Sequence, residues 1–170
     1  MNSEKKVSII PNVSQHKAAK VAGFMFLFSF IVPTLNWTFV LSKFIVAEDF
    51  VATAKNIIAN EFLFRIGITI ELIMSIGLIV LSLALYIILK PVNKNFALLA
   101  LLLKLIEATV VATIVLTSFI ALQVLNGDTY VTVFTPEQLQ APIGFLLNVH
   151  TVIYAIPMVF LGLDMMVFSQ

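Results

Sequence analysis

Four long apolar runs dominate the chain, and two of them place carboxylates where the middle of a membrane would lie. The runs are Ala18–Leu41, Glu61–Leu89, Phe96–Leu125 and Ala141–Phe168. Each is long enough to cross a bilayer as a helix, which takes roughly 20 residues. Composition agrees. Hydrophobic residues make up 61% of the 170-residue chain and charged residues 11%. A soluble domain averages about 45–50% apolar and about 25% charged. With a mean hydropathy of +1.08, lipid must be the solvent for much of this surface.

Several function classes recede on composition alone. A net charge of +1 gives no basic stripe for nucleic acid, so no nucleic-acid partner is expected. The absence of cysteine removes disulfides, thiolate nucleophiles and cysteine-based metal sites. No glycine-rich phosphate loop is present, and no serine–histidine–acid set can be argued from spacing. No cofactor, metal or catalytic residue is therefore expected, and the chain reads as a non-enzyme. The basic N-terminal residues Lys5, Lys6, Lys17 and Lys20 precede an apolar run that continues to Leu41 with no small-residue cleavage site. That pattern predicts an uncleaved first transmembrane helix rather than a secretory signal.

The expected architecture is all-α: an antiparallel four-helix transmembrane bundle. It has a cytoplasmic tail over 1–17 and a single transmembrane domain over 18–170. Pro33 falls inside the first helix, which a bundle tolerates when neighbours satisfy the freed carbonyl. Glu48–Ile58 suits a short interfacial helix. The short turn Lys90-Pro91-Val92-Asn93-Lys94-Asn95 makes the second and third runs antiparallel neighbours. Asn126-Gly127-Asp128 is a turn signal. Thr135-Pro136-Glu137 reads as a helix start, with threonine as the cap. Lys5, Lys6, Lys17, Lys20, Lys90 and Lys94 lie on one side of the membrane, against Lys43 and Lys55 on the other. That asymmetry predicts both termini in the cytoplasm, with Trp37 and Tyr130 near the outer interface.

Two segments carry a family resemblance: Leu63-Phe64-Arg65-Ile66-Gly67, and Leu85-Tyr86-Ile87-Ile88-Leu89-Lys90-Pro91-Val92-Asn93. With Lys17 to Gly23, Leu103-Lys104-Leu105-Ile106-Glu107-Ala108, and His150, Tyr154 and Val159 to Leu163, the chain resembles the bacterial membrane family described as domain of unknown function 4386. The resemblance implies a bacterial inner-membrane protein and supplies no activity. Members usually run on past a fourth helix, whereas this chain stops at Ser169-Gln170. The resemblance thus implies a shortened or truncated relative, completed by self-association or by a partner membrane helix.

The intramembrane polar residues are the candidate site. Gly67, Glu71, Ser75 and Ser82 recur at helical spacing and form a small, polar stripe on the second helix. Small residues let membrane helices pack closely. An anion at the bilayer centre costs at least ~2.5–3.5 kcal/mol on insertion scales, so Glu71 must be protonated, paired or wetted. The expectation is a neutral Glu71 at pH 7, at a depth similar to that of His150. It serves either as a hydrogen-bonded lock between helices or as a proton or cation site. Lys104 and Glu107 are i,i+3 neighbours, and Lys104 can snorkel inward or pair with Asp164. This group reads as a structural charge network or as a permeation site. Thr109, Thr113 and Thr117 form a hydroxyl stripe whose plain reading is bonding to the helix's own carbonyls. Glu61 and Arg65, spaced i,i+4, share a face as an interfacial ion pair at the helix end or as an anion or substrate contact at the outer mouth. Asn36 lies near the level of Arg65. Two functions stay open: a structural or interaction protein of the membrane, and a small transporter or ion-coupled permease subunit.

Overall fold

The computed structural model describes residues 13–46, 49–126, 135, 138–139, 142–143, 145–147, 153, 156–157 and 159. Three helices are long and apolar enough to cross a membrane. These are α1 (Val13–Phe39), α3 (Glu61–Leu89) and α4 (Lys94–Asn126), with a shorter helix α2 (Phe50–Ala59) between the first two. No strand occurs among the described residues. The described positions of the fourth apolar run are helical, but most of the run lies outside them. The structure thus supports an all-helical, membrane-type fold with three spanning helices and leaves the fourth helix of the expected bundle outside its reach.

α1 begins at Val13, five residues before the expected start, so Lys17 and His16 belong to its first turns rather than to a tail. It runs through Pro33 without a break. A 3-10 turn over Leu41–Lys43 follows. A short helix, α2, stands where the sequence suggests one, its start moved two residues: the Asp49 carboxylate caps it by accepting from the Ala52 amide at 2.8 Å. Thr53 Oγ1 donates to the Asp49 carbonyl and accepts from the Val46 amide. The loop before α2 is thereby tied to the helix it starts. Asn60 ends α2, and α3 follows at once.

α3 and α4 are joined by a turn in which the Val92 and Asn93 amides both donate to the Leu89 carbonyl. Asn93 Oδ1 then caps α4 by accepting from the Asn95 and Phe96 amides. So short a connection makes the two helices antiparallel neighbours, as the sequence requires. Thr135 also behaves as read: its hydroxyl accepts from the Gln138 amide while Gln138 Oε1 accepts from the Thr135 amide. That reciprocal pair is a capping box.

α3 is the central helix, packing on α1 along one side and on α4 along another. Two apolar clusters hold the assembly. One gathers Leu41, Phe44, Ile57, Phe64, Ile68, Leu122 and, from the fourth run, Ile143 and Leu147. In it the Phe44 and Phe64 rings meet edge-on, with centroids 5.2 Å apart. The other gathers Ala22, Met74, Leu78, Leu81, Ala84, Ala108 and Val111. Along α3, Glu71 falls between the last residue of the first cluster and the first of the second. The opposite faces of the helices carry exposed Phe24, Leu27, Phe30, Ile73, Ile76, Leu102 and Leu116, as lipid-facing surfaces should.

Candidate functional site

The polar stripe on α3 exists because its residues recur every fourth position, which returns each to nearly the same face of the helix. Gly67, Glu71, Ser75 and Ser82 are all buried. Glu71 is only 2% exposed, with no water-facing surface of the kind a surface glutamate keeps. Ser75 Oγ donates to the Ala108 carbonyl of α4 at 3.0 Å. That bond sets the register of the two helices. At 1.5 Å per residue, Glu71 lies roughly 6 Å toward the start of α3, on one side of the bond. Glu107 and Lys104 lie on the other side.

Lys104 and Glu107 form a buried ion pair inside α4, with Nζ 2.6 Å from Glu107 Oε2. Lys104 is 1% exposed and Glu107 5%. Of the alternatives the sequence left for Lys104, snorkelling toward the inner interface does not describe a side chain this buried. Snorkelling serves charges that have no acceptor at their own depth. Here a carboxylate one turn along the same face supplies one. Asp164, the other partner considered for Lys104, lies outside the described residues, as do His150 and Tyr154.

The hydroxyl stripe of α4 resolves as local bonding. Thr109 donates to the Leu105 carbonyl at 2.8 Å, Thr113 to Thr109 at 2.9 Å and Thr117 to Ile114 at 2.7 Å. These hydroxyls serve their own helix rather than a pathway. Arg65 and Glu61 pair at 2.5 Å on a well-exposed face, as an interfacial i,i+4 contact does.

The residue that sequence reasoning undervalued is Asn36. Its Nδ2 donates to the Gly67 carbonyl at 3.2 Å, bridging α1 to α3. The glycine makes the approach possible: a Cβ there would stand 2.9 Å from Leu41 Cδ2, 3.1 Å from Val40 Cγ1 and 3.6 Å from Asn36 Oδ1. Asn36 is 4% exposed, yet its Oδ1 accepts no hydrogen bond among the described residues. The signal in the sequence was a lone amide inside an apolar run, level with a small residue on the next helix. The site is thus built from one amide of α1, the Gly67–Glu71–Ser75 stripe of α3 and the Lys104–Glu107 pair of α4.

No group of three or more metal-ligating side chains occurs among the described residues. The family model described as Domain of unknown function (DUF4386) matches residues 21–170. No curated protein and no solved structure matches the chain.

Proposed function

Because the chain belongs to the DUF4386 family, whose description carries no activity, we propose its function from its site: a non-enzymatic integral membrane protein with a structural or interaction role. One observation carries the reading. The interior polar side chains of neighbouring helices are engaged in holding those helices together: Asn36 on the Gly67 carbonyl and Ser75 on the Ala108 carbonyl. Buried polar side chains used this way fasten membrane helices at close range. The cation asymmetry supports a cytoplasmic location for both termini. The residues shared with the family support the bacterial cytoplasmic membrane as the setting. The lipid bilayer is the first partner. A second copy or a partner helix is the second, covering the exposed apolar flanks.

A second reading, a small ion-coupled permease subunit using Glu71, Lys104 and Glu107, is favoured by the buried Asn36 oxygen beside the glutamate stripe. Native mass spectrometry of the purified protein with its co-purifying lipids separates the readings. Defined oligomers or a bound partner chain support the first. A monomer that drives ion flux in proteoliposomes supports the second and sinks the first.

A further inference from the structure

Helix packing gathers four lysines at one end of the molecule. Phe28 of α1 stands against Gly77 of α3, and Asn36 against Gly67. The two helices are therefore antiparallel, and a step back along α1 is a step forward along α3. Carried on from the Phe28–Gly77 contact, that register sets Lys20 level with Leu85 and Lys17 level with Ile88. Leu85 and Ile88 both pack against the cluster that holds Ala22. Elsewhere on α3, Ser75 meets Ala108 of α4. The same counting from there sets Lys94 level with Leu89, the residue before Lys90. At 1.5 Å per residue, the four lysines fall within a band roughly 8 Å deep. That matches the headgroup layer of one leaflet, which is about 5–8 Å deep.

All four lysines are exposed. No acidic side chain shares their band among the described residues, and neither α1 nor α4 carries an acid in its first turn. The nearest acid along the axis, Glu107, is roughly 14 Å deeper and pairs with Lys104. The opposite end mixes its signs: Arg65 is paired with Glu61, and Asp49 accompanies Lys43 and Lys55. The lysine end also orders charge over hydrocarbon. Lys20 stands one turn from exposed Phe24, Lys90 from Ile87 and Lys94 from Leu98, each on its own helix face and toward the middle of the span. Lys90 Nζ is 5.4 Å from the centre of the Tyr86 ring, which holds that cation at the level where the apolar surface ends.

We propose that this lysine band is a docking site for an anionic phospholipid. Its phosphate meets the lysines, and its acyl chains lie along the apolar residues one turn deeper. Ammonium groups donate strong, charge-assisted hydrogen bonds to phosphate oxygens. A zwitterionic lipid brings an ammonium of its own, which offsets that attraction. Basic residues beside membrane helices discriminate between lipids on this ground. The proposal rests on the reading of the chain as a membrane-spanning protein, and it holds for either orientation across the bilayer.

The full chain is reconstituted into nanodiscs of phosphatidylcholine with increasing shares of phosphatidylglycerol. The unfolding midpoint is followed in each, and native mass spectrometry counts the lipids that stay bound. Wild type is expected to show a saturable rise in midpoint with phosphatidylglycerol, and to retain that lipid about ten-fold or more over phosphatidylcholine. Lys17→Gln, Lys20→Gln, Lys90→Gln and Lys94→Gln combined should lose the preference and keep the wild-type midpoint in phosphatidylcholine discs. Lys43→Gln combined with Lys55→Gln, which removes cations from the opposite end, should keep the preference. Should the combined variant not fold, the pairs Lys17→Gln with Lys20→Gln and Lys90→Gln with Lys94→Gln decide, each lowering the preference about three-fold or more. Equal retention of the two lipids by wild type overturns the proposal. So does an equal loss when Lys43 and Lys55 are replaced, which assigns the effect to net charge. A midpoint rise reproduced by inorganic phosphate in phosphatidylcholine discs assigns the site to a free anion and overturns it as well. A chain that folds in phosphatidylcholine discs without any preference refutes the lipid site alone, whereas a chain that enters no disc refutes the membrane reading beneath it.

Discussion

At the residue scale, the Lys104–Glu107 pair has the most at stake. Removing one partner of a buried ion pair strands a charge, at a cost of roughly 3–5 kcal/mol, while replacing both with apolar residues of similar volume is often neutral or stabilising. Lys104→Met and Glu107→Gln are each expected to destabilise the protein strongly, and Lys104→Met combined with Glu107→Leu to recover most of the loss. Unfolding free energies of the four proteins, measured in the same lipid environment, give the coupling directly. A double variant as unstable as either single one would mean that the pair serves something other than its own neutralisation. Ser75 is a smaller matter. Hydrogen bonds between membrane helices average about 0.6 kcal/mol, so Ser75→Ala should cost about that amount and no more.

The elements meet where glycine or alanine lets them. Gly67 and Gly77 both face α1, but their surroundings differ. A methyl at 67 would meet Leu41 Cδ2 at 2.9 Å and Val40 Cγ1 at 3.1 Å, in a corner already holding Asn36. A methyl at 77 would meet Phe28 at 3.2 Å, where the ring edge can give a little. Nothing lies within 4 Å of the corresponding position at Gly23. Gly67→Ala is therefore expected to destabilise by about 1–3 kcal/mol, the usual cost of overpacking. Gly77→Ala should cost less. Gly23→Ala should be neutral or stabilising by up to about 1 kcal/mol, because alanine is the better helix former. A midpoint series in which Gly23→Ala is the most damaging of the three would contradict this packing of α1 on α3. The tie between α2 and its preceding loop belongs to the same scale. Thr53→Val removes the hydroxyl that joins Val46 to Asp49, and should loosen α2 while leaving α3 and α4 intact, as read by hydrogen exchange.

At the scale of the whole molecule, three apolar helices long enough to span a membrane, with the short helix α2 between the first two, require a definite disposition across it. On the proposed orientation, Lys17, Lys20, Lys90 and Lys94 face the cytoplasm, and Lys43, Lys55 and α2 lie on the other side. The chain contains no cysteine, so single introduced cysteines are unambiguous probes. Lys55→Cys in intact cells should react with a membrane-impermeant maleimide, and Lys94→Cys should react only after the membrane is opened. The reverse pattern would invert the topology and place the Asn36–Glu71 level in the opposite half of the bilayer. α3, which has neighbours on two sides, should be the last element to exchange its amides, and α1, exposed along most of its length, should exchange earlier.

The sequence by itself determined the apolar, membrane-type character, the helical class and, to within a few residues, the extents of the second and third runs. These depend on apolar content and length, which are local properties read directly from the order of residues. It also determined the α4 hydroxyl stripe, the Glu61–Arg65 contact and the Thr135 cap, since partners three or four residues apart are set by helix geometry alone. It left open which polar residues meet across helices. Lys104 could be placed near Glu107 or near Asp164 with equal right, because depth along an axis says nothing about rotation around it. Asn36 carried only the weak signal of a lone amide in an apolar run: its importance comes from the glycine opposite it, 31 residues away. Only tertiary packing brings that amide onto the Gly67 carbonyl of α3. The rotation of each helix about its axis is decided by how all of them pack together, and no single helix encodes it.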